Sequence, residues 1–206
     1  MKVQLIPIMA ALASASALHA ADPAPASAST PAPYNPEFMK QAIAISEKAN
    51  TTPDTDPFGA VVVKDGKVVG QGLSAMRANL DPTAHGEVLA IRDAVKNLGR
   101  LDLSDCELYT SCEPCPMCVA VVDIARMRKV FYGTTMKDSG VAFAVLPPGG
   151  RFGVNVPLVI ADEHATIDKR SVPAEQQMAA EAYEVMKNWA LQRRDAVLKE
   201  QAPVAP

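Results

Sequence analysis

Two cysteines three positions apart, Cys115 and Cys118, close the run Thr110-Ser111-Cys112-Glu113-Pro114-Cys115-Pro116-Met117-Cys118 at what reads as the start of a helix. Residues at that spacing share a helix face, and the positive end of the helix dipole lowers thiol pKa values, so the pair suits a soft metal ion or a redox couple. A second stretch, Asp81-Pro82-Thr83-Ala84-His85-Gly86-Glu87, separates the two uses by setting a histidine and a carboxylate two residues apart in the first turn of another predicted helix. One imidazole and two thiolates make three ligands, and a catalytic zinc site takes three protein ligands and keeps one position open. A fold for this chain must therefore bring two helix starts to one ion.

Three other readings of the cysteines stay open at this point. Cys115 and Cys118 as a reversible disulfide would make a thiol-disulfide protein, and a non-catalytic ligand-binding module on the same fold would leave Glu87 without chemistry. A purely structural ion would need a fourth ligand, for which Cys112 is the nearby candidate. Cys106, the remaining one of four cysteines, falls in a predicted strand and reads as an apolar filler.

The chain opens with a positively charged Met1-Lys2, an apolar Val3–Leu12 and small residues up to Ala20-Ala21. That is the pattern of a secretory signal over residues 1–20, too short in its apolar run to serve as a stable membrane anchor. Residues 21–34 are rich in Pro, Ala and Ser and read as a tether, 35–197 as one domain, and 198–206 as a flexible tail. A periplasmic or secreted location follows as an expectation. The net charge of −3 carries no basic stripe, so no nucleic-acid polymer is expected as a partner. Late basic residues, Lys187, Arg193, Arg194 and Lys199, alternate with Glu184 and Asp195 as on a solvated helix face.

Helical spacing of Phe38, Ala42, Ile45 and Ala49 predicts a helix over 36–50. Ala60–Val63 and Lys67–Gln71 flank Asp65-Gly66, a hairpin signal because a type I′ turn needs positive φ at both central residues. Asp81 as cap with Pro82 at the first position predicts a helix carrying Val88, Ile91, Val95 and Leu98 to Gly99. A strand over 106–110, a helix over 114–126 and a strand over 130–133 follow. That strand–helix–strand step implies a parallel pairing, hence a mixed sheet with helices on both faces. The 114–126 helix is apolar nearly all round, as for burial or a subunit interface. Beyond Gly133 the text predicts a loop near Pro147–Gly150, an edge strand over 158–161, and a closing helix whose Met178, Ala182, Val185 and Trp189 pack into the core. The Gly and Pro content of 134–154 suits a mobile flap over a pocket.

Zinc with an open position lowers the pKa of water toward neutrality, which suits attack on an electron-poor ring carbon bearing an amino group. Glu87 is placed to shuttle the protons: from the water, to the ring nitrogen, and to the departing ammonia.

His85-Gly86-Glu87 with Pro114-Cys115-Pro116-Met117-Cys118 matches the H-x-E…P-C-x-x-C signature of zinc nucleobase deaminases. Pro57-Phe58-Gly59-Ala60-Val61-Val62-Val63-Lys64-Asp65-Gly66, Asp81–His85 and Leu108–Cys118 further resemble the cytidine/deoxycytidylate deaminase superfamily, on the side of bacterial guanine deaminases and tRNA adenosine deaminases. The resemblance runs from about Pro57 to Gly133. It implies a three-layer α/β/α cytidine-deaminase-like fold, usually a homodimer, with His85, Cys115 and Cys118 as Zn2+ ligands and Glu87 as proton shuttle. It also implies that Phe58, Gly59, Ala60, Ser74 and Pro114 line the substrate.

The chain departs from the family pattern in three places. Ser74 stands where an Asn usually reads the base, and a hydroxyl cannot offer an amide's paired donor and acceptor. Gly86 replaces the usual Ala between His and Glu, and Val141-Ala142-Phe143-Ala144-Val145 replaces a Phe-Asp-Asp run. A small free base, nucleoside or related amino-heterocycle is the expected substrate, with release of ammonia.

Overall fold

The computed structural model describes residues 33–147, 153 and 155–200. The signal segment, most of the tether, the end of the tail and most of the Pro147–Gly150 loop lie outside the described residues. The chain divides into two compact units, Met1–Pro147 and Pro148–Pro206.

The first unit is built on a four-stranded sheet in the order β2-β1-β3-β4, formed by β1 (Gly59–Lys64), β2 (Lys67–Leu73), β3 (Cys106–Cys112) and β4 (Lys129–Thr134). β1 runs antiparallel to both β2 and β3, while β3 and β4 are parallel, so the sheet is mixed as the element order requires. Asp65 at φ 48° and Gly66 at φ 73° make the tight turn between β1 and β2. Alternation then sorts the strand side chains onto two faces. Val61, Val63 and Tyr109 pack against Met39, Ala42 and Ile45 of α1 (Pro36–Glu47). Ala60, Val62, Cys106 and Leu108 pack on the other face against Ala90, Ile91 and Ala94 of α3 (Gly86–Leu98) and Val122 of α4 (Pro116–Ile124). The result is helix, sheet, helix: the three-layer arrangement expected.

Asn35 caps α1 by accepting from Glu37 N at 3.0 Å, with Pro36 in the first turn; the last three residues of the predicted helix, Lys48–Asn50, tighten into a 3-10 turn. α3 sits on β2 at backbone contact. A Cβ at Gly70 would lie 2.3 Å from the Ala90 carbonyl oxygen, and one at Gly72 only 2.2 Å from the Gly86 carbonyl oxygen. Glycine in these two strand positions, facing Gly86, Ala90 and Ala94 four apart on the helix, is what allows the approach. β2 is an outer strand, and α3 covers part of its edge: Asp93 Oδ2 accepts from Gln71 N at 3.0 Å and Asn97 Nδ2 donates to Val69 O at 2.9 Å. On the α1 side the buried Glu107 accepts from Arg128 Nε at 2.9 Å.

Three expectations are corrected. α3 begins at Gly86, with His85 as its N-cap, instead of at Pro82. Asp81 caps no helix: its carboxylate accepts from Thr83 N at 2.8 Å and Thr83 Oγ1 at 2.6 Å and meets Arg92 at 3.1 Å, holding the 81–84 turn that follows a short α2 (Met76–Asn79). The Thr83 hydrogen bonds, with Arg92, hold the Asp81 carboxyl below its usual range.

In the second unit the 158–161 strand is instead part of α6 (Val156–His164), because Asn155 Oδ1 caps Leu158 N at 3.3 Å and Pro157 lies in the first turn, where its missing N–H costs nothing. The closing helix forms as α7 (Ala179–Glu200), but Met178, Val185 and Trp189 are exposed. Helical spacing defines a stripe without defining what covers it. Among the described residues no helix is long and apolar enough to cross a membrane.

Candidate metal centre and active site

His85 and Cys115 are each the N-cap of a helix, with extended backbone at φ −72°, ψ 156° and φ −70°, ψ 166°. At this position the chain turns into the helix, and the side chain points over the first turn, at the positive end of the dipole. Pro116 takes the first helical position of α4, two residues later than the sequence suggested, and Cys118 follows within the first turn. The two helix starts meet. Cys115 Sγ and Cys118 Sγ each lie 3.5 Å from His85 Nδ1 and 3.6 Å from one another.

That triangle fits one zinc ion. Zn–S bonds of about 2.3 Å and a Zn–N bond of about 2.0 Å at tetrahedral angles require edges of roughly 3.8 Å between sulfurs and roughly 3.5 Å from sulfur to nitrogen. The three ligand atoms form a cluster that Cys112 does not join. Among the described residues the structural-ion reading finds no fourth ligand, which leaves one corner of a tetrahedron for a non-protein ligand. All four cysteines are free thiols, and 3.6 Å is far beyond a disulfide bond.

One thiolate in the pair forms readily and the second resists. The hydrogen bond shared with Cys118 draws the Cys115 thiol well below its ordinary value, assisted by His85, while the same bond and burial hold the Cys118 thiol up. A divalent cation removes that resistance by taking both sulfurs as ligands.

Glu87, in the first turn of α3 and two residues after His85, is 5 % exposed. Burial holds its carboxyl above the usual carboxylate range, against the opposing pull of its own backbone N–H and of His85. A carboxyl so placed can hold a proton and release it beside the open corner.

The residues expected to line the substrate are distributed unevenly. Ala60 is in the core under α3. Gly59 turns toward α1: a Cβ there would lie 2.3 Å from the Ala42 carbonyl oxygen, and its N–H donates to Ser111 Oγ at 3.0 Å. Phe58 and Ser74 extend the faces of β1 and β2 that look toward α3. Ser74 N donates to Phe58 O at 2.9 Å, Ala75 N to Ala84 O at 2.9 Å, and a Cβ on Gly86 would lie 2.5 Å from that same Phe58 oxygen. Phe58 and Ser74 are thereby tied to the two residues flanking His85. The Ser74 hydroxyl is buried and has no hydrogen-bond partner among the described residues. Pro114 is half-buried beside Cys115.

Two features escaped the sequence reading. The 134–154 region contains a helix, α5 (Met136–Phe143), capped by Thr135, whose hydroxyl accepts from Asp138 N at 3.0 Å. Glu113, inside the metal loop, accepts from Met136 N at 2.9 Å through Oε2. A Thr-x-x-Asp cap was legible at 135–138; the partner of Glu113 was not.

Comparison with known proteins agrees with this geometry. Residues 34–134 match the family model described as the cytidine and deoxycytidylate deaminase zinc-binding region. The guanine deaminase of Bacillus subtilis (strain 168) is 46 % identical over 105 residues, covering 51 % of this chain and 67 % of that protein. The tRNA-specific adenosine deaminase of Aquifex aeolicus is 34 % identical over 108 residues, covering 52 % and 71 %. The X-ray structure of the Bacillus subtilis guanine deaminase superposes with a TM-score of 0.67 at 34 % identity, covering 77 % of this chain and 94 % of that one. With the His85, Cys115 and Cys118 triangle, these matches show that the chain belongs to the cytidine and deoxycytidylate deaminase family and is a zinc-dependent hydrolytic deaminase.

Proposed function

We propose that this protein is an exported deaminase of a small nucleobase, nucleoside or related amino-heterocycle, guanine deaminase-like in its site, which replaces an exocyclic amino group by oxygen and releases ammonia. The observation that carries the proposal is the buried Glu87 carboxyl beside an open corner of the His85, Cys115 and Cys118 triangle. Bound zinc supplies Lewis acidity, lowering the pKa of water at that corner.

Glu87 takes the proton of the attacking water as the new C–O bond forms and passes it to the ring nitrogen, whose double bond to the carbon opens. It then carries the second proton of the water to the amino group. The C–N bond breaks, ammonia leaves, and Glu87 is unchanged at the end of the cycle. His85, Cys115 and Cys118 hold position throughout. The Ser74 hydroxyl supports a substrate edge at this point, since a buried hydroxyl without a protein partner is stabilised when a ligand supplies one.

Ammonia release from guanine, adenine, cytosine, their nucleosides and aminopterins, followed with and without chelator, tests the reading. At least one compound should be turned over, activity should vanish with chelator and return with zinc, and Glu87→Gln should lower kcat by roughly 10²–10⁴-fold with zinc content intact. No turnover of any of them by zinc-loaded protein would leave a ligand-binding module on the deaminase fold.

Export rests on residues 1–20 and is tested by cell fractionation of the full chain against one beginning at Ala21. A homodimer is proposed through the outer face of α4, where Val119 and Ile124 are 47 % and 80 % exposed. Ile124→Lys should shift the sedimentation of the protein from dimer to monomer.

A further inference from the structure

His85 and Cys115 stand at the same place at the heads of their helices, and neither side chain makes the capping hydrogen bond that an N-cap residue ordinarily supplies, because each belongs to the ligand triangle instead. The two starts are stiffened differently. After Cys115 comes Pro116, whose ring fixes φ at the first helical position. After His85 comes Gly86, where a Cβ would lie 2.5 Å from the Phe58 carbonyl oxygen, so packing excludes a stiffer residue and leaves the most permissive backbone beside a metal ligand. Something outside the helix has to set the imidazole.

A closed ring of three side chains is built for that task. Asp81 Oδ1 accepts from Thr83 N at 2.8 Å and from Thr83 Oγ1 at 2.6 Å, Asp81 Oδ2 accepts from Arg92 Nη1 at 3.1 Å, and Arg92 Nη2 donates to Thr83 Oγ1 at 3.2 Å. The ring spans His85. On one side Thr83 O accepts from His85 N at 2.8 Å, and on the other Arg92 stands seven residues further on, two turns along the same face of α3. The turn before the ligand is thereby joined to the body of the helix across the permissive glycine.

We propose that Asp81 is a positioning residue which, with Thr83 and Arg92, aims the His85 imidazole at the Cys115 and Cys118 sulfurs and so sets how tightly zinc is held. This rests on the deaminase reading for the identity of the ion, and deepens it by assigning what holds the one helix-start ligand that no proline follows. Oδ1 has the larger share. A turn of this kind needs only a side-chain acceptor two residues before the N–H it binds, which an asparagine amide oxygen also supplies. Arg92 adds an ion pair to Asp81 that is partly exposed, and such pairs are weak.

The test is the zinc affinity of the full chain by competition with a chromogenic chelator, together with the visible absorption of the cobalt(II)-loaded protein, neither of which needs turnover. Asp81→Ala should weaken zinc binding roughly ten- to a hundredfold, the range for losing a group that orients a metal-bound histidine, and Asp81→Asn should return to within about threefold of the wild type. Arg92→Ala, at an exposed position where folding is not at stake, should weaken it about two- to fivefold. At saturating cobalt, Asp81→Ala should keep the thiolate-to-metal absorption and lose intensity in the ligand-field bands of a tetrahedral site, since a displaced imidazole changes the geometry without removing the sulfurs. Asn35→Ala is the control for stability alone: it removes the cap of α1, on the other face of the sheet, and should lower the urea midpoint with zinc affinity and cobalt spectrum unchanged. Wild-type zinc affinity in Asp81→Ala and Arg92→Ala overturns the proposal, as does an Asp81→Asn protein as weak as the alanine variant, or an Asn35→Ala protein that loses affinity to the same extent. Ammonia release by a wild type whose Asp81→Ala variant binds zinc equally well would sink the clamp and leave the deaminase reading standing; the expected order of affinities in a protein that hydrolyses nothing would do the reverse.

Discussion

Gly72→Ala is expected to loosen the metal centre from outside it. The added methyl would lie 2.2 Å from the Gly86 carbonyl oxygen and 2.5 Å from Ala90 N, both backbone atoms of α3 that no rotamer change can move. Ordinary carbon–oxygen contact is about 3.2–3.4 Å, so β2 and the start of α3 must separate by about 1 Å, at an overpacking cost of about 1–3 kcal/mol. Gly86 lies between His85 and Glu87, and the ligand triangle has edges of 3.5 and 3.6 Å. A displacement of about 1 Å at the imidazole takes it outside tetrahedral bonding distance, so zinc affinity should fall at least about tenfold. Urea unfolding of the metal-free protein reads the first effect, and competition with a chromogenic chelator reads the second. Because a ligand stabilises in proportion to ln(1 + [L]/Kd), the protection that zinc gives against thermal unfolding should shrink as well. Gly140→Ala is the matched control: nothing lies within 4 Å of its added methyl, and alanine in mid-helix should leave stability unchanged or raise it by up to about 1 kcal/mol. A Gly72→Ala protein with the wild-type urea midpoint and wild-type zinc affinity would refute the claim that close packing of β2 on α3 aims His85.

Removing Arg128 as alanine should cost about 3–5 kcal/mol in urea unfolding, because it takes away the cation paired with the buried Glu107 carboxylate, and Arg128→Met with Glu107→Gln should recover most of the loss. Burial pushes the Cys106 thiol from an ordinary 9.0 up to about 12, so the folded state keeps the proton that the unfolded chain releases; stability is unaffected below pH 9, falls as pH rises from 9 toward 12, and Cys106→Ala should flatten that decline in urea midpoints. Ser74→Asn should raise the kcat/KM for guanine relative to adenine, since an amide offers donor and acceptor side by side where the hydroxyl offers one site; an unchanged ratio would place Ser74 away from the substrate.

Local chemistry was legible in the sequence where a residue's role depends on near neighbours. His85 and Glu87, like Cys115 and Cys118, owe their nearness to a single helix start, and Asp65-Gly66 owes its turn to backbone sterics. The strand alternation from Ala60 to Val63 and the parallel step from β3 to β4 followed from period and connection length in the same way. Misreadings occurred where a local pattern has two physical outlets. Asp81-Pro82 has the form of a helix start, yet the Asp81 carboxylate is taken by Thr83 and Arg92, so the helix waits for His85. Leu158–Ala161 has the apolar run of a strand, and only the cap by Asn155 decides for helix. Glu113 lies in the most informative motif of the chain, but its bond to Met136 crosses 23 residues and leaves no local trace.

The central claim is tested most directly by X-ray absorption at the zinc edge on the purified, zinc-loaded chain. A single ion with two sulfur neighbours at about 2.3 Å, one imidazole nitrogen at about 2.0 Å and a fourth neighbour lighter than sulfur is the predicted result. Three sulfurs, which would bring in Cys112 and close the open corner, would contradict it, as would a protein that takes up no zinc and shows a sulfur–sulfur bond of about 2.05 Å between Cys115 and Cys118.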